Sequence, residues 1–440
     1  MTQRPRLSVI GTGYLGATHA VCMVELGYDV IGLDVDEAKI ESLRAGKIPF
    51  FEPGLPELLG KHIDSGRLRF TTDYAEVAEF ADVHFVCVGT PQKKGQYAAD
   101  LTYVDAAFRS LAAHLTRRAL VVGKSTVPAG TAARLAKLLA DEAPNKEVEL
   151  AWNPEFLREG FAVEDTLRPD RLVFGVRSEW AEQTIRTAFE PVIATGTPVI
   201  VTDYATAELV KVAANSFLAT KISFINAMAE VCEATGADVT QLADAIGHDA
   251  RIGRRFLNAG LGFGGGCLPK DIRAFIARAG ELGVDQAVSF LRDVDEINLR
   301  RRARTVELGL DLLDGSYRGT KVAVLGAAFK PDSDDVRDSP ALDVAAAVGR
   351  RGATVQVYDP EANASAARVH PELTYAASLD DALRGVDLVM LLTEWQVFRA
   401  MDPVTVGSLV AQRNLVDGRN VLVPSQWRDA GWHYRALGRP

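Results

Sequence analysis

The chain has 440 residues, of which 48% are hydrophobic and 24% charged, a composition typical of a folded globular protein rather than a disordered or fibrous one. This length exceeds what one hydrophobic core normally serves and predicts two or three domains. The formal net charge of −9 argues against nucleic acid as a partner, because phosphate backbones require a clustered basic surface.

The first region of the chain alternates buried apolar runs with amphipathic stretches up to about residue 200. The apolar runs that we interpret as strands are 7–10, 30–33, 83–88, 120–122 and 172–176. Alternation of strand and helix predicts an α/β fold in which a mostly parallel sheet has helices on both faces.

The middle of the chain, from residue 205 to about 303, contains no convincing strand. Its first part, 207–235, has helical apolar spacing and no proline, which predicts one long helix. A second strand and helix series then runs from 321 to about 423, with strands predicted at 321–326, 354–358, 387–392 and 414–416. We therefore predict two doubly wound Rossmann-like domains, 1–203 and 318–440, joined by a central helical domain, 204–303.

Cysteines and histidines form no metal or disulfide motif. The cysteines are scattered without a CxxC pair, and the histidines include no HExxH, so we expect no metal and a reducing, cytoplasmic compartment. No apolar run approaches the roughly 20 residues of a membrane span, so no membrane association is expected.

A glycine-rich turn joins the first predicted strand to the first helix, with the sequence Gly11-Thr12-Gly13-Tyr14-Leu15-Gly16. Gly11 permits the tight turn, Gly13 lets the backbone approach a pyrophosphate, and Gly16 lets helix and strand pack closely. Asp34 follows the next strand, 18 residues after Gly16, where a carboxylate accepts hydrogen bonds from the ribose hydroxyls and repels the extra phosphate of NADP. The pattern predicts NAD as the cofactor.

Simpler interpretations of this region also exist. The glycines could serve packing alone, and Asp36 could merely cap the helix that follows it. Lys39 lies within reach of the adenosine ribose in the predicted geometry.

Cys267 follows a run of glycines in Gly264-Gly265-Gly266-Cys267-Leu268-Pro269-Lys270-Asp271. Pro269 suits the first turn of a helix, so Cys267 would lie at a helix N-terminus, where the partial positive charge favours a thiolate. A nucleophile of this kind allows an aldehyde to be oxidised further to an acid through a thiohemiacetal and a thioester. The alternative is a small buried apolar residue, which is how we interpret Cys22, Cys87 and Cys232.

Lys211 and Asn215 are four residues apart in the predicted long helix and so share one face. Both could donate to the oxygen that becomes negatively charged in the tetrahedral states. A solvated surface pair is the alternative.

Eight runs of sequence, considered together, resemble the UDP-glucose/GDP-mannose dehydrogenase family. They occupy positions 11–16, 88–91, 125–131, 153–160, 211–215, 262–271, 328–330 and 335–340. The resemblance covers nearly the whole chain and implies an N-terminal NAD domain, a central domain that forms a homodimer or part of a larger homo-oligomer, and a C-terminal domain that binds the nucleotide end of the sugar.

The resemblance also implies roles for individual residues. The catalytic set would be Cys267 as nucleophile, Lys211 and Asn215 as oxyanion and sugar contacts, Asp271 and Thr126 around a water, and Glu155 in thioester hydrolysis. The cofactor contacts would be Gly11, Gly13, Tyr14, Leu15, Gly16, Asp34, Lys39, Thr90, Thr126, Glu159, Lys270 and Arg337. The substrate contacts would be Glu155, Phe156, Leu157, Arg158, Glu159, Lys211, Asn215, Arg251, Phe256, Leu257, Asn258, Ala259, Gly260, Gly264, Lys330 and Arg419.

Several of these residues have simpler interpretations or more specific ones. Glu155 could be an ordinary loop carboxylate and Lys330 a solvated loop lysine, whereas Arg251 resembles an arginine that reaches the neighbouring subunit's site. The second domain has only Gly326 where the first has three spaced glycines, so Asp359 is expected to echo Asp34 structurally rather than functionally.

The substrate remains open between members of the family. The run 256–260 resembles the UDP-glucose branch and predicts oxidation of UDP-glucose to UDP-glucuronate, while GDP-mannose or an N-acetylated UDP-sugar is the alternative. Cys267 in its glycine loop argues against a two-electron hydroxyacid dehydrogenase. The presence of Lys211, Asn215 and Asp271 as well argues against an NAD-sensing protein without catalysis.

Overall fold

The chain forms two compact units in a computed structural model, which describes residues 4–145 and 147–440. The first unit comprises the described residues up to Ala214 together with Arg273–Gly283, and the second comprises Asn215–Ile272 with Val284–Pro440. Within the described residues, every helix is too short or too polar to cross a membrane. The predicted division into three domains stays a prediction.

An eight-stranded sheet with the order β3-β2-β1-β4-β5-β6-β7-β8 forms the centre of the first unit. Its strands are β1 (Leu7–Ile10), β2 (Val30–Leu33), β3 (Leu68–Thr71), β4 (Val83–Val86), β5 (Ala119–Gly123), β6 (Val148–Trp152), β7 (Leu172–Gly175) and β8 (Val199–Thr202). Strands β1 to β6 are parallel, and β7 and β8, parallel to each other, join β6 in antiparallel orientation. The first six strands have the Rossmann order.

Helices cover both faces of this sheet. They are α1 (Tyr14–Glu25), α2 (Glu37–Arg44), α3 (Leu55–Asp64), α4 (Tyr74–Phe80), α5 (Thr102–Ala112), α6 (Thr131–Glu142), α7 (Ala162–Leu167), α8 (Glu179–Ala188) and α9 (Glu190–Ile193). Because successive strand residues point to opposite faces, Leu7 and Val9 pack in a core with α1 and α8, whereas Ile10 packs in a second core with α5 and α6.

A 32-residue helix, α10 (Tyr204–Thr235), confirms the long helix predicted at 207–235. Asp203 accepts a hydrogen bond from the Thr206 amide at 2.9 Å before its first turn, and Gly236 follows its last residue with φ +75°. The helices that follow are α11 (Val239–Gly247), α12 (Leu268–Glu281), a 3₁₀ turn (Asp285–Val288) and α13 (Phe290–Leu312). No strand lies between residues 203 and 320, all of which the structure describes.

A six-stranded parallel sheet with the order β11-β10-β9-β12-β13-β14 lies in the second unit. Its strands are β9 (Lys321–Leu325), β10 (Thr354–Tyr358), β11 (Thr374–Tyr375), β12 (Leu388–Leu391), β13 (Asn414–Asp417) and β14 (His433–Ala436). Its helices are α14 (Pro340–Arg350), α15 (Asn363–Val369), α16 (Leu379–Leu383), α17 (Gln396–Arg399), α18 (Pro403–Gly407) and α19 (Pro424–Asp429). Its six strands follow the same order as β1 to β6 in the first sheet.

The expectation that the second series ends near residue 423 was wrong. Helix α19 and strand β14 follow it, and β14 pairs with β13 from Asn414 to Asp417. In β14 the side chains alternate between exposed and buried, with His433 and Arg435 facing solvent, so the strand lacks the continuous apolar run that the sequence analysis sought.

Candidate active site

The turn between β1 and α1 leaves space for a ligand. Gly11 has φ +86°, a conformation that favours glycine. A Cβ atom on Gly16 would lie 1.8 Å from the Gly11 carbonyl oxygen, so helix and strand could not pack this closely with a larger residue. A Cβ atom on Gly13 would meet no heavy atom within 4 Å. The structure therefore has an open space above Gly13, where the sequence predicts the pyrophosphate.

Asp34 lies at the carboxyl end of β2, beside this turn. Its Oδ2 accepts hydrogen bonds from the Thr12 amide at 2.9 Å and from Lys39 Nζ at 2.8 Å. Its Oδ1 accepts from the Asp36 amide at 3.1 Å. Burial acts to raise the pKa of Asp34, but the hydrogen bonds from Lys39 and the two amides prevail and lower it. The carboxylate is thus charged and held in place beside the glycine turn.

Asp36 and Lys39 take the positions that the sequence suggested. Asp36 caps α2 by accepting a hydrogen bond from the Lys39 amide at 3.1 Å, which confirms the capping interpretation. The Lys39 ammonium group is paired with Asp34.

The residues after β4 and β5 also lie at the carboxyl edge of the first sheet. The Thr90 hydroxyl donates to the Thr126 carbonyl at 2.8 Å, and the Ser125 hydroxyl donates to the Val88 carbonyl at 2.6 Å. These bonds tie the segment that contains Thr90 to the segment that contains Thr126. Both residues were predicted to contact the cofactor.

The loop after β6, which contains Glu155 to Glu159, is held at its far end by a buried carboxylate. Glu52 accepts hydrogen bonds from the amides of Gly160 and Ala162, each at 2.7 Å, and from the Tyr14 hydroxyl. The Gly160 amide also donates to the Tyr14 oxygen at 3.0 Å. Burial and the hydrogen bond to Glu52 raise the pKa of Tyr14, so this phenol stays protonated. Glu159 itself is buried.

Glu155 sits at the start of this loop in an ion pair with Lys124. The Lys124 Nζ lies 2.9 Å from Glu155 Oε2, and the amides of Phe156 and Leu157 donate to Oε1 at 2.7 and 3.1 Å. Burial acts to raise the pKa of Glu155, but the charge and hydrogen bond of Lys124, with the Phe156 amide and Lys211, lower it. Glu155 is therefore an ionised carboxylate with a fixed orientation, more than the loop carboxylate of the simpler interpretation.

Lys211, in α10, lies on the same side as this loop. Its Nζ is 5.4 Å from the centroid of the Phe156 ring. The structure thus brings Lys211, Glu155 and Phe156 together within the first unit. Arg158 is paired with Asp165 by hydrogen bonds of 2.6 to 2.9 Å, which hold it at the exposed side of the loop.

Cys267 is an exposed thiol, whereas the other three cysteines are buried. It directly precedes α12, and its carbonyl accepts the first hydrogen bond of the helix, from the Asp271 amide at 2.9 Å. The predicted position at a helix N-terminus is confirmed. The helix N-terminus favours a thiolate there, and exposure leaves the sulfur accessible.

Asp271 is buried one turn into α12 and joins two other predicted site residues. Its Oδ2 accepts from Asn215 Nδ2 and its Oδ1 accepts from Lys270 Nζ, both at 2.6 Å. Asn215 is therefore no solvated surface residue; its side-chain amide is oriented by Asp271. The predicted water between Asp271 and Thr126, and the cofactor contacts of Lys270 and Arg337, stay predictions.

The glycines before Cys267 have a packing role that the sequence analysis underestimated. A Cβ atom on Gly264 would lie 2.2 Å from the Asp338 carbonyl oxygen, and one on Gly265, whose φ is +86°, would lie 2.8 Å from the Phe329 ring. A Cβ atom on Gly262 would lie 2.4 Å from Asn298 Oδ1. The loop is therefore closely packed.

The predicted substrate segment 256–260 is fixed to its surroundings by side-chain amides. Asn226 accepts from the Gly260 amide at 2.9 Å, and Asn420 donates to the Ala259 carbonyl at 3.1 Å. Phe256 has φ +67°, while the Leu257 side chain is buried and that of Asn258 is exposed.

Arg419 is a partly buried link between three loops of the second unit. It donates to the carbonyls of Leu392 at 2.8 Å, Gly262 at 3.0 Å and Phe329 at 3.1 Å. Phe329 precedes Lys330, so Arg419 connects the glycine loop to the loop after β9. Lys330 lies 5.4 Å from the Phe329 ring centroid. Arg251 is exposed and paired with Asp249 at 2.6 Å.

Asp359, at the carboxyl end of β10, has a structural role. Five N–H groups donate to its carboxylate at 2.7 to 3.1 Å: those of Ala327, Ala328, Glu361 and Ala362 and the indole of Trp395. These donors occupy the lone pairs of both oxygens. This agrees with the expectation that Asp359 echoes Asp34 in structure only.

Two residues with positioning roles escaped the sequence analysis. Lys124 stands directly after β5, where a charged residue at the carboxyl end of a parallel strand is a signal that could have found it. Asn298 in α13 accepts from the Phe263 amide at 2.7 Å and donates to the Phe263 carbonyl at 3.0 Å, so it clamps the glycine loop. Among the described residues, no group of three or more His, Cys, Asp and Glu side chains could hold a metal ion.

Known proteins with similar sequences and structures define the family. Sequence models of the UDP-glucose/GDP-mannose dehydrogenase family match residues 5–193 as its NAD binding domain, 205–300 as its central domain and 323–424 as its UDP binding domain. A UDP-glucose 6-dehydrogenase of Rhizobium meliloti is 41% identical over 99% of this chain and 100% of its own length. The UDP-glucose 6-dehydrogenase TuaD of Bacillus subtilis is also 41% identical, over 99% of this chain and 93% of its own.

A solved structure agrees with these sequences. The UDP-glucose dehydrogenase of the archaeon Pyrobaculum islandicum superposes with a TM-score of 0.91 at 40% identity, covering 100% of this chain and 99% of that one. The Rossmann-like sheets, the glycine turn and Asp34 define an NAD-dependent oxidoreductase. More specifically, the chain belongs to the UDP-glucose/GDP-mannose dehydrogenase family, as the sequence resemblance implied.

Proposed function

We propose that the chain oxidises the primary alcohol of UDP-glucose to the carboxylate of UDP-glucuronate, in two steps at one site. The observation that carries this proposal is the exposed Cys267 at the N-terminus of α12, because a second oxidation requires a nucleophile that adds to the aldehyde. Two relatives that are 41% identical over nearly the full chain are named UDP-glucose 6-dehydrogenases, which supports the choice of UDP-glucose as the sugar.

Cys267 acts in the second oxidation. Its thiolate adds to the carbonyl carbon of the aldehyde, a C–S bond forms, and the oxygen becomes a tetrahedral alkoxide. Lys211 and Asn215 donate hydrogen bonds to that oxygen, and Asp271 orients Asn215 for this task. When bound, NAD would accept one hydride in each of the two oxidations. In the second, the alkoxide re-forms the C=O bond as the hydride leaves the same carbon, which gives a thioester on Cys267.

Hydrolysis of the thioester then releases the product. A water held by Thr126 and Asp271 loses a proton to Glu155 as its oxygen bonds to the carbonyl carbon. The C–S bond breaks, the sulfur leaves as thiolate, and the new carboxylic acid loses its proton to become the carboxylate. The low pKa of Glu155 keeps it in the ionised form that can take a proton.

The residues that would hold NAD fit a dinucleotide. The open space above Gly13 accepts a pyrophosphate at the N-terminus of α1, and the charged Asp34 beside it accepts ribose hydroxyls. Lys39, Thr90, Glu159, Lys270 and Arg337 complete the proposed cofactor contacts.

The nucleotide end of the sugar is proposed to bind to the second unit. The match of residues 323–424 to a UDP binding domain supports this assignment. Lys330, in the loop after β9, supplies a positive charge for the anionic diphosphate. The segment 256–260, with Gly264 and Arg419, surrounds the sugar and nucleotide.

We also propose the three domains 1–203, 204–303 and 318–440, and a homodimer formed through the central one. In α10, Phe217, Phe224 and Val231 recur every seven residues and are 66%, 49% and 53% exposed, an apolar stripe suited to a second copy. Arg251, 89% exposed in its side chain, is then proposed to reach the partner subunit's site. Cys22, Cys87 and Cys232, which are free thiols, fit a reducing, cytoplasmic location.

Product analysis together with NADH counting tests the proposed function. Wild-type protein should form two NADH per UDP-glucuronate, and UDP-glucose should exceed GDP-mannose and N-acetylated UDP-sugars as substrate. Cys267→Ala should bind NAD and UDP-glucose almost normally in calorimetric titrations but form no glucuronate. The matched control Cys232→Ala, at a buried cysteine, should keep full stoichiometry.

Each component of the proposal can fail separately in this assay. One NADH per product, or normal glucuronate formation by Cys267→Ala, would rule out the covalent second oxidation. Faster turnover of another nucleotide sugar would leave the mechanism intact and change the substrate.

A further inference from the structure

Lys124 is a charged residue in an almost fully enclosed position. It follows β5, its side chain is 2% exposed, and its Nζ lies 6.0 Å and 5.5 Å from the ring centroids of Phe85 and Phe189. Removing an ammonium group from water costs several kcal/mol unless other groups compensate it. Its polar partners therefore have to account for its presence.

Two partners compensate the charge. Lys124 Nζ donates to Asn153 Oδ1 at 2.8 Å and pairs with Glu155 Oε2 at 2.9 Å. Asn153 is itself fixed, since its Nδ2 donates to the Val173 carbonyl at 3.0 Å and its amide donates to the Gly123 carbonyl at 2.8 Å. The position of the ammonium group is thus set by β5, β6 and β7 together, and it points at Glu155.

The Glu155 side chain is in turn fixed by its hydrogen-bond and ion-pair partners, yet it is partly exposed to solvent. Its Oε1 accepts the amides of Phe156 and Leu157, and its Oε2 faces Lys124. The side chain is nevertheless 17% exposed, in contrast to the 2% of Lys124. The carboxylate is therefore held in one orientation in a side chain that is not fully enclosed.

Among the charged and titratable groups around Glu155, Lys124 is the main source of positive charge. Lys211 approaches from α10, while His19, Cys22 and Cys87 face the pair from α1 and the end of β4. Burial, followed by the charge of Lys124, holds the pKa of His19 far below its usual range, so this ring is neutral. Burial raises the pKa of both cysteines, which also stay neutral.

We propose that Lys124 is a positioning residue for thioester hydrolysis: its ammonium group holds Glu155 as a carboxylate, oriented to take the proton of the attacking water. This inference rests on the proposed function, in which Glu155 is the base of that step. If the Lys124–Glu155 ion pair had only a structural role, its contribution to the fold would not depend on whether Glu155 changes its protonation state during turnover.

The sign of the expected pH effect follows from the surroundings of Glu155. Lys124 lowers the pKa of Glu155 against the effect of burial. In Lys124→Met, the ammonium group no longer opposes the effect of burial, so the pKa of Glu155 rises. Less of Glu155 is then ionised at neutral pH. The acidic limb of the hydrolysis rate should therefore move to higher pH, and the rate should recover as the pH increases.

The experiment compares Lys124→Met, Glu155→Gln and wild type in single turnover. Both variants should form NADH in a burst and then accumulate a sugar adduct on Cys267, visible as a mass increase of the acid-quenched protein. Hydrolysis at neutral pH should be slower by about 100-fold in Glu155→Gln, the lower end for loss of a general base. It should be slower by a smaller factor in Lys124→Met, which keeps the carboxyl group. Only Lys124→Met should recover at high pH, because Glu155→Gln has no carboxylate to restore. Lys137→Met, which removes an exposed lysine paired with Asp141, is the matched control and should behave as wild type.

Failure of this inference is distinguishable from failure of the proposed function. If Glu155→Gln accumulates the adduct while Lys124→Met hydrolyses it at the wild-type rate with an unshifted limb, Lys124 has no positioning role. If wild type forms only one NADH per product and Glu155→Gln gives no adduct, the proposed function itself fails.

A double variant keeps the test decisive if Lys124→Met does not fold. Lys124→Met with Glu155→Gln buries no lone charge and should be at least as stable as either single variant. Because Lys124 acts only through Glu155, the double variant should hydrolyse the adduct at the rate of Glu155→Gln. A further loss greater than about threefold would overturn the proposal.

Discussion

Asp34 and Asp359 both stand at the carboxyl end of the second strand of a parallel sheet, yet their surroundings differ. Asp34 shares its carboxylate between the glycine turn and Lys39, and its side chain is 9% exposed. Asp359 is 1% exposed, and its lone pairs are occupied by protein N–H groups. The aspartate at this place is thus proposed to bind a ribose in one unit, whereas in the other it is bonded to N–H groups of its own unit.

The connection after the first strand explains this difference. In the first sheet only three residues separate β1 from α1, which begins at Tyr14, so the N-terminus of α1 lies at the glycine turn. In the second sheet residues 326–339 separate β9 from α14, and Ala328 already has a Cβ where the first turn has Gly13. A site therefore depends on where the helix begins and on which donors reach the carboxylate, and the sheet alone does not create it.

The largest effect is expected from Asp359→Ala. Loss of the carboxylate leaves five N–H groups without their acceptor, and at roughly 1 kcal/mol or more for each unmade bond the protein should lose about 4 kcal/mol of stability or more. Thermal unfolding measures this loss. The control is Asp402→Ala, an exposed helix cap in the same unit, which should cost about 1 kcal/mol.

An equal loss in the two variants would show that Asp359 is no more important to the fold than a helix cap. NAD affinity should stay unchanged in the folded fraction of either variant.

Gly13→Ala should have the opposite profile, with normal stability and poor cofactor binding. The added Cβ meets no protein atom within 4 Å but enters the space proposed for the pyrophosphate, so NAD affinity should fall about 100-fold, or ~2.7 kcal/mol. Isothermal titration calorimetry measures the affinity. Gly60→Ala, which also adds a Cβ to open space in the first unit, should bind NAD normally. Unchanged affinity in Gly13→Ala would contradict the proposed place of the cofactor.

Asp34→Ala should narrow the preference for NAD over NADP by at least about tenfold, or ~1.4 kcal/mol. The carboxylate no longer repels the 2′-phosphate, and Lys39 loses the partner that neutralises it. The ratio of kcat/KM values for the two cofactors measures the effect independently of stability. Asp36→Ala, which removes only the cap of α2, should leave the ratio unchanged. The assignment of Asp34 to the ribose fails if the two variants give the same ratio.

The smallest effect is expected from Trp395→Phe. This substitution removes the indole that donates to Asp359 at 3.1 Å and keeps an aromatic ring, while four backbone amides still satisfy the carboxylate. Stability should fall by about 1 kcal/mol, the usual contribution of one hydrogen bond. Chemical denaturation checks the value. A loss of stability as large as that of Asp359→Ala would mean that the Asp359 carboxylate stabilises the fold through its hydrogen bond with the indole rather than through those with the amides.

Much of the fold could be predicted because buried strands have a strong sequence signal. Strands β1, β2 and β10 have the bounds that their apolar runs predicted, and α10 differs by three residues at its start. Four of the five strands that were missed, β3, β8, β11 and β14, are the edges of the two sheets. Edge strands have a solvent-facing side, so β14 alternates in sequence, while β11 has only two residues. Strand β8 is an apolar run like β1 and was missed for no such reason.

The site was predictable where a motif determines local geometry, as for Gly11, Gly16 and Cys267. Lys124 could be noted as a charged residue at the end of a strand, but its burial could not be predicted, because it depends on Phe85 and Phe189, which lie far from it in sequence and enclose it only in the folded chain. A lysine after a strand is ordinarily solvated, and the sequence contains no sign of the rings that surround this one.

The close packing of the loop before Cys267 has a consequence for how the family can diverge. Gly262, Gly264 and Gly265 are confined by Asn298, by a backbone carbonyl and by an aromatic ring, so these positions offer natural selection almost no neutral variation. Asn258, whose side chain is exposed, has no such confinement. A descendant enzyme that adapts to a different sugar is therefore expected to inherit the glycines unchanged and to accumulate its substitutions around them.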